Sequence, residues 1–393
     1  MIATIFEDKN SESLSPLNQV RASFELRCGA FTNLERIQNS LSINDEIQLL
    51  VRNEIKDIIK ERYPHITVNP DSFSPGVWLN GQAIWTKDNI QKITSGRTFT
   101  HRGRLLAMHN NETFSNVEID SFMEKVSAVS MEMDIPFIHH IWDPIFMQAE
   151  MITADAQDFM DYQSGTIHPS VVLENGDNIY IGKNSEIRPG VVLDASAGPI
   201  ILAEHVYVDI GALIQGPVYI GPYCTINLGA KLRKNVTLGP MCKIGGEVED
   251  VIFQGYDNKQ HDGFLGHSYL GEWINLGANT NNSDLKNNYG SIRIQIGEDE
   301  IKTGRQFLGA IISDYVRTGI STMLNTGTVI GLGANVFGAG FQAKYIPPFQ
   351  WGTDNKTELD KFFKTIETMK NRRGQSLSEP EKSLISKIYL DSV

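Results

Sequence analysis

Eight aliphatic residues recur at six-residue intervals in the middle of the chain: Leu202, Val208, Ile214, Ile220, Ile226, Leu232, Leu238 and Ile244. Four positions after each stands a small or β-branched residue, in the series Val206, Ala212, Val218, Cys224, Ala230, Val236, Cys242 and Val248. Neither the 3.6-residue period of a helix nor the two-residue alternation of a strand produces this pattern. It is the repeat of a hexapeptide β-helix, in which three short strands make one coil of a triangular prism and coils stack at about 4.8 Å.

The aliphatic residue of each repeat is predicted to point inward from a face and the small one to sit near a corner, with Gly211, Gly221 and Gly239 serving turns. Cys224 and Cys242 stand one coil apart and are predicted to stack inside as small hydrophobes. The period returns at Ile312, Thr318, Leu324, Ile330 and Val336. One solenoid is expected over residues 165–341, with interruptions at 250–263 and 281–305 read as loops thrown out from it. A purely structural spacer is the alternative to a functional prism.

With 393 residues the chain fits two or three domains, and its 41% hydrophobic and 21% charged residues are ordinary for a globular protein. A net charge of −12 argues against a nucleic-acid partner, because no basic surplus exists to neutralise phosphates. Three cysteines, two of them assigned to the interior, argue against a disulfide framework and for the reducing cytoplasm. No apolar run approaches the ~18 residues that span a bilayer, and no export signal opens the chain, so no membrane partner is expected.

Residues 1–164 follow a different grammar and are read as an α/β domain with a linker helix. Residues 1–6 are predicted to form a buried strand, 44–61 a helix on apolar spacing, and 76–85 a β-hairpin turning at Asn80-Gly81. Residues 117–131 and 144–162 read as helices leading into the prism at 165–345. The final segment, 346–393, reads as a cap of two helices, 358–372 and 379–390, shielding the open end of the solenoid.

The first interruption carries His261, the sharpest candidate base in the chain. A polar loop breaking a regular prism is a candidate functional element, and imidazole titrates where a proton can be both taken and returned. A surface loop histidine is the alternative.

The stretch His261 to Thr280, HDGFLGHSYLGEWINLGANT, resembles the acetyltransferase region of the bifunctional N-acetylglucosamine-1-phosphate uridylyltransferase and glucosamine-1-phosphate acetyltransferase family, closest to a variant subfamily with a shorter first half. The resemblance implies a left-handed β-helix in which His261 deprotonates an amino-sugar phosphate that attacks acetyl-CoA. It implies substrate contacts from Arg233, Phe264, Asn275, Asn288 and Tyr289, with Gly277 and Ala278 close to the acyl-CoA and its oxyanion. Phe264 stands where the family has a tyrosine, and Gly245-Gly246 where it has a lysine pair. The resemblance also implies a homotrimer with acyl-CoA between neighbouring prisms. His267 aligns with no catalytic residue and is read as a surface residue.

The amino-terminal half lacks the Gly-rich loop that usually follows the first strand of a sugar nucleotidyltransferase. Its opening resembles that of the variant subfamily, which implies a nucleoside triphosphate and a sugar phosphate as substrates, with Mg²⁺. Arg21 and Arg27 are candidates for holding phosphates, with ion pairing as the equal alternative. Asp143 could hold the metal, but before Pro144 it reads better as a helix cap. The combined reading is a transferase joining an acyl group to an amino-sugar phosphate and a nucleotidyl group to the sugar 1-phosphate. Retention of a single activity, or a non-catalytic trimeric scaffold that binds sugar nucleotides, are the alternatives.

Overall fold

The six-residue period appears in the backbone as parallel strand pairs offset by one coil. In the computed structural model, which describes residues 1–93, 96–115, 117 and 130–392, Leu202 pairs with Ile220 and Ile220 with Leu238, Ile214 with Leu232, Val208 with Ile226 and Ile226 with Ile244. Every member of both six-residue series is at most 1% exposed. Burying one such aliphatic side chain contributes roughly 1.5–3 kcal/mol, so the stacked columns are the main stabilising element of the prism. Cys224 and Cys242 lie in this core as free thiols.

The chain divides into two compact units. The first comprises Met1–Leu26, Phe31–Ile141 and Ser378–Ile385; the second is built on Trp142–Leu377, with Arg27–Ala30 and the last residues.

The second unit is a parallel β-helix. Its strand Glu247–Gly255 pairs with both Lys231–Leu232 and Val236–Leu238 and is followed by Phe264–Glu272, and the coils through these strands are shorter than the eighteen-residue coils before them. Leu238 pairs with Phe253 and Ile244 with Lys259, fifteen positions on rather than eighteen. The expected loop at 250–263 is therefore a contracted coil of the prism, with Val251, Phe253, Asp257 and Lys259 buried. Val248, expected at a corner, pairs with Leu232 on a flat face instead. The second interruption does leave the prism, as an antiparallel hairpin of Arg293–Ile296 and Asp299–Lys302.

Gly239 illustrates why a small residue is needed where coils pass closely: a Cβ there would lie 1.9 Å from the Gln254 carbonyl oxygen. The helix Asp143–Asp155 packs on the prism strands. Past the last coil, the helix Leu359–Asn371 buries Phe362 edge-on against Phe349 and Tyr315. Its far end is tied by Arg373, which donates to the Met241 carbonyl (2.9 Å) and to Asn258 Oδ1 (2.8 Å). The helix thus runs along a side of the prism as well as covering its end. Glu379–Asp391 forms the second expected helix.

The first unit holds a seven-stranded sheet in the order Ser130–Glu132, Thr98–His101, Arg104–Asn110, Gly76–Asn80, Ile2–Phe6, Glu46–Leu50, Thr67–Val68. The expected helix over 44–61 begins instead as the strand Glu46–Leu50, parallel to Ile2–Phe6, and only Lys56–Arg62 is α-helical. Its apolar run fits either period, and a place beside the central strand decides for the sheet. The expected hairpin at 76–85 is absent: Gly76–Asn80 pairs with Ile2–Phe6 and Arg104–Asn110, and Asn80 is fully buried. The helix expected over 117–131 falls almost wholly outside the described residues, and Ser130–Glu132 is a strand.

Candidate active sites

In the first unit the strand order reverses about Ile2–Phe6, since Glu46–Leu50 lies on one side of it and Gly76–Asn80 on the other, all three parallel. The carboxyl ends of strands at such a reversal form a crevice where α/β sheets bind ligands. Here a cavity of about 470 Å³ is lined by Asp8, Lys9, Glu12, Arg52 and Asn69 among others.

Its walls are tied by charge. Arg104 Nη2 donates to both Asp8 oxygens (2.7 and 2.8 Å) and to Gln82 Oε1 (2.7 Å), and Asn80 Nδ2 donates to Asp8 Oδ2 (3.0 Å). Arg52 Nη1 donates to the buried Glu7 carboxylate (2.7 Å), and Arg52 Nη2 to the carbonyl oxygens of Arg21 (2.9 Å) and Asn18. Beside this network Arg104 lies 4.6 Å over the Phe137 ring, and His101 stacks on Phe137 and His139. Asp8, Arg52 and Arg104 were not singled out from the sequence. The available signal was an acidic residue directly after a central strand.

The predicted phosphate-binding arginines have other work. Arg21 is 1% exposed and donates to the Leu17 carbonyl (2.9 Å). Arg27 belongs to the second unit, where its N–H donates to Tyr269 Oη (2.9 Å) and its guanidinium to the Ala30 carbonyl. Asp143 is the first residue of its helix rather than the residue before it, a position that favours a carboxylate through the helix dipole. Among the described residues no group of three His, Cys, Asp or Glu could hold a metal ion. The Asp8 carboxylate is engaged by Arg104 and Asn80, and Glu12 and Glu54 are the other carboxylates in the cavity lining.

In the second unit His261 is exposed on the turn that follows Asn258–Lys259. Its side chain makes no hydrogen bond among the described residues, but its carbonyl accepts from Lys259 Nζ (3.0 Å), which also donates to Gly245 (2.9 Å). Burial pulls the Lys259 ammonium down to about 8, with nearby Asp262 opposing. The turns after Tyr207–Val208, Thr225–Ile226, Lys243–Ile244, Asn258–Lys259 and Arg317–Thr318 follow successive strands of one face, so they stack as one corner. That corner carries Ile210, Leu228 and Ile320, exposed by 46%, 69% and 80%.

Phe264 lies on the next face, its N–H held by Asn281 Oδ1 (2.8 Å). Two coils earlier on that face Arg233 is paired with Glu249 (2.8 Å) and Glu247 (3.2 Å). Asn275 is exposed on the His261 strand row, where bridges join it to Asn258 and Arg317. Gly277 N–H donates to Thr318 Oγ1 (2.9 Å), so this amide is already satisfied, whereas the Ala278 N–H makes no hydrogen bond among the described residues. Asn288 Oδ1 accepts from Gly290 N–H (3.0 Å), and Tyr289 is 67% exposed at the base of the hairpin excursion.

His267 is not a free surface residue. Its Nδ1 lies 2.8 Å from Asp284 Oδ2, its Nε2 lies 3.6 Å from Asp250 Oδ2, and its ring stacks on Phe307 at 5.1 Å. A histidine held by a carboxylate is oriented for proton transfer. Nothing local marked it, because Asp250 and Asp284 lie seventeen residues to either side.

The sequence matches the sugar nucleotidyl transferase family over residues 3–162. A bifunctional sugar-1-phosphate nucleotidylyltransferase/acetyltransferase of Sulfurisphaera tokodaii is 34% identical over 98 residues, covering 24% of this chain and 24% of that protein. The bifunctional protein GlmU of Methanococcus aeolicus is 33% identical over 93 residues, covering 23% of this chain and 22% of its own length. The matches thus span about a quarter of either relative. The matched residues contain the sheet with its order reversal and the cavity lined by Asp8 and Arg52. No described helix is long and apolar enough to cross a membrane.

Proposed function

We propose that the chain is a bifunctional transferase of sugar-nucleotide synthesis in the cytoplasm. In the transferase domain an oxygen of a sugar 1-phosphate attacks the α-phosphorus of a nucleoside triphosphate, and pyrophosphate leaves. Lys9 on the cavity wall supplies positive charge for the triphosphate, while the Asp8–Arg104 and Glu7–Arg52 pairs keep the strand ends in place. The cavity at the strand-order reversal of a sugar nucleotidyl transferase domain carries this half of the reading.

In the prism, His261 takes the proton from the sugar amine as its nitrogen attacks the thioester carbonyl of acetyl-CoA; the amide forms and the thiol leaves. The free Ala278 N–H and the exposed Asn275 stand on the same strand row and corner as His261. The apolar residues of that corner favour a homotrimer with the acyl donor between prisms, because assembly would remove Leu228 and Ile320 from water. A second reading makes His267 the base, supported by its 2.8 Å contact with Asp284.

The test incubates the purified full chain with acetyl-CoA and glucosamine-1-phosphate and follows thiol release, beside UTP and a sugar 1-phosphate with pyrophosphate release. Thiol release lost in His261→Ala and kept in His267→Ala supports the first base; the reverse assigns His267. Pyrophosphate release without thiol release from any amino sugar phosphate would remove the acyl-transfer half.

A further inference from the structure

Between the prism and the helix Leu359–Asn371 lies a cavity of about 410 Å³ with no carboxylate in its lining. Lys243, Arg317, Arg372 and Arg373 all face it. In a chain of net charge −12, four cations gathered without an acid call for a cause. Arg373 is accounted for, since it ties the helix to Met241 and Asn258.

The other three are not. Lys243, Arg317 and Arg372 make no side-chain hydrogen bond or ion pair among the described residues, and Arg317 Nε is buried with no acceptor. Burial lowers the Arg317 pKa from its ordinary value, a cost that no internal carboxylate offsets. Tyr256 and Trp273 stack at 4.3 Å to form a rigid wall of the cavity. A space of this size suits a small molecule, and guanidinium groups without partners suit phosphate oxygens.

We propose that this cavity binds a small phosphorylated molecule through Arg317, Arg372 and Lys243. The site is distinct from the cavity of the transferase domain, and it does not depend on which histidine is the acyl-transfer base. The ligand carries a diphosphate or more than one phosphate group, because three cations converge on one space. Arg317 also lines the adjoining cavity, where Lys361 is paired with Glu358 (2.8 Å) and Lys356 donates to the Tyr389 carbonyl (2.7 Å), so the phosphate-binding cations are those of the first cavity.

The test titrates the full chain with inorganic pyrophosphate by calorimetry, comparing wild type with Arg317→Ala, Arg317→Ala/Arg372→Ala, Lys9→Ala in the transferase domain, and Arg188→Ala as a distant control. Arg317 has no side-chain partner among the described residues to leave unsatisfied, so its removal is expected to spare the fold, and circular dichroism of each variant checks this. Expected is a binding event that weakens at least about tenfold in Arg317→Ala, further in the double variant, and persists in Lys9→Ala and Arg188→Ala. Parallel titrations with ATP and with coenzyme A then distinguish a nucleotide from a phosphopantetheine source by which competes best. Absence of binding at millimolar pyrophosphate, or binding lost in Lys9→Ala and unchanged in the double variant, overturns the proposal.

Discussion

The Lys259 ammonium lies 3.0 Å from the carbonyl oxygen of His261 and 2.9 Å from that of Gly245, in strand register with Ile244. An inward column that elsewhere carries aliphatic side chains thus carries an amine at the coil from which His261 projects. Its two acceptors pin the turn, and the contracted coil brings both within reach.

This contact has a pH signature. The folded Lys259 pKa, about 8, lies below the ordinary 10.5, so between those values the unfolded chain holds more protons than the folded one. Stability therefore rises with pH through that window, by up to about 3 kcal/mol from this group. In denaturant titrations from pH 7 to 10, Lys259→Met is expected to lack that rise, and thiol release by the variant to fall because the His261 turn is no longer pinned. Parallel curves for variant and wild type would refute it.

Asp257 runs the other way. It is fully buried, one oxygen accepts from Ile274 N–H (2.8 Å), and the other finds no partner among the described residues. Desolvation first, then the buried Cys242, pushes its pKa well above 3.8. Its contribution is complete below that value and is lost as pH rises towards the folded pKa. Asp257→Asn mimics the protonated form, so its melting temperature should decline less than that of wild type between pH 4 and 8; an equal decline would contradict the assignment.

Asp8 and Arg104 are a nearly buried pair with side-chain exposures of 5% and 16%. Asp8→Ala leaves the Arg104 guanidinium and the Asn80 amide without that acceptor, at a cost of about 3–5 kcal/mol. A lowered denaturation midpoint and loss of pyrophosphate release are expected. A midpoint unchanged from wild type would show that the pair is not held in the folded protein.

Leu228 and Ile320 test assembly. Either residue changed to Asp should dissociate a trimer in sedimentation at micromolar concentration while leaving the far-ultraviolet spectrum intact, since both side chains point to solvent within one chain. Wild-type sedimentation as a monomer would end the trimeric reading.

What the sequence determined by itself was the prism. A strict six-residue period leaves each aliphatic residue one inward direction, and the same columns appear as in-register pairs such as Val208 with Ile226 and Ile226 with Ile244. The two final helices were legible for a similar reason, since their apolar spacing repeats for several turns. The tertiary structure decided what short or broken patterns leave open. Residues 46–50 became a strand because a parallel neighbour was waiting on Ile2–Phe6. Asn80-Gly81 ended a central strand instead of turning a hairpin, because Asp8 and the Leu105 carbonyl accept the Asn80 amide.

The sites were less legible than the fold. His261 could be picked from its interruption of the repeat, but the contraction that buries Lys259 beneath it depends on where coils stack. His267 gained its partners only when Asp250 and Asp284 were carried to it around the prism. Periodicity specifies which way a side chain points; which groups then meet depends on residues far apart in the chain, and only the packed fold brings those together.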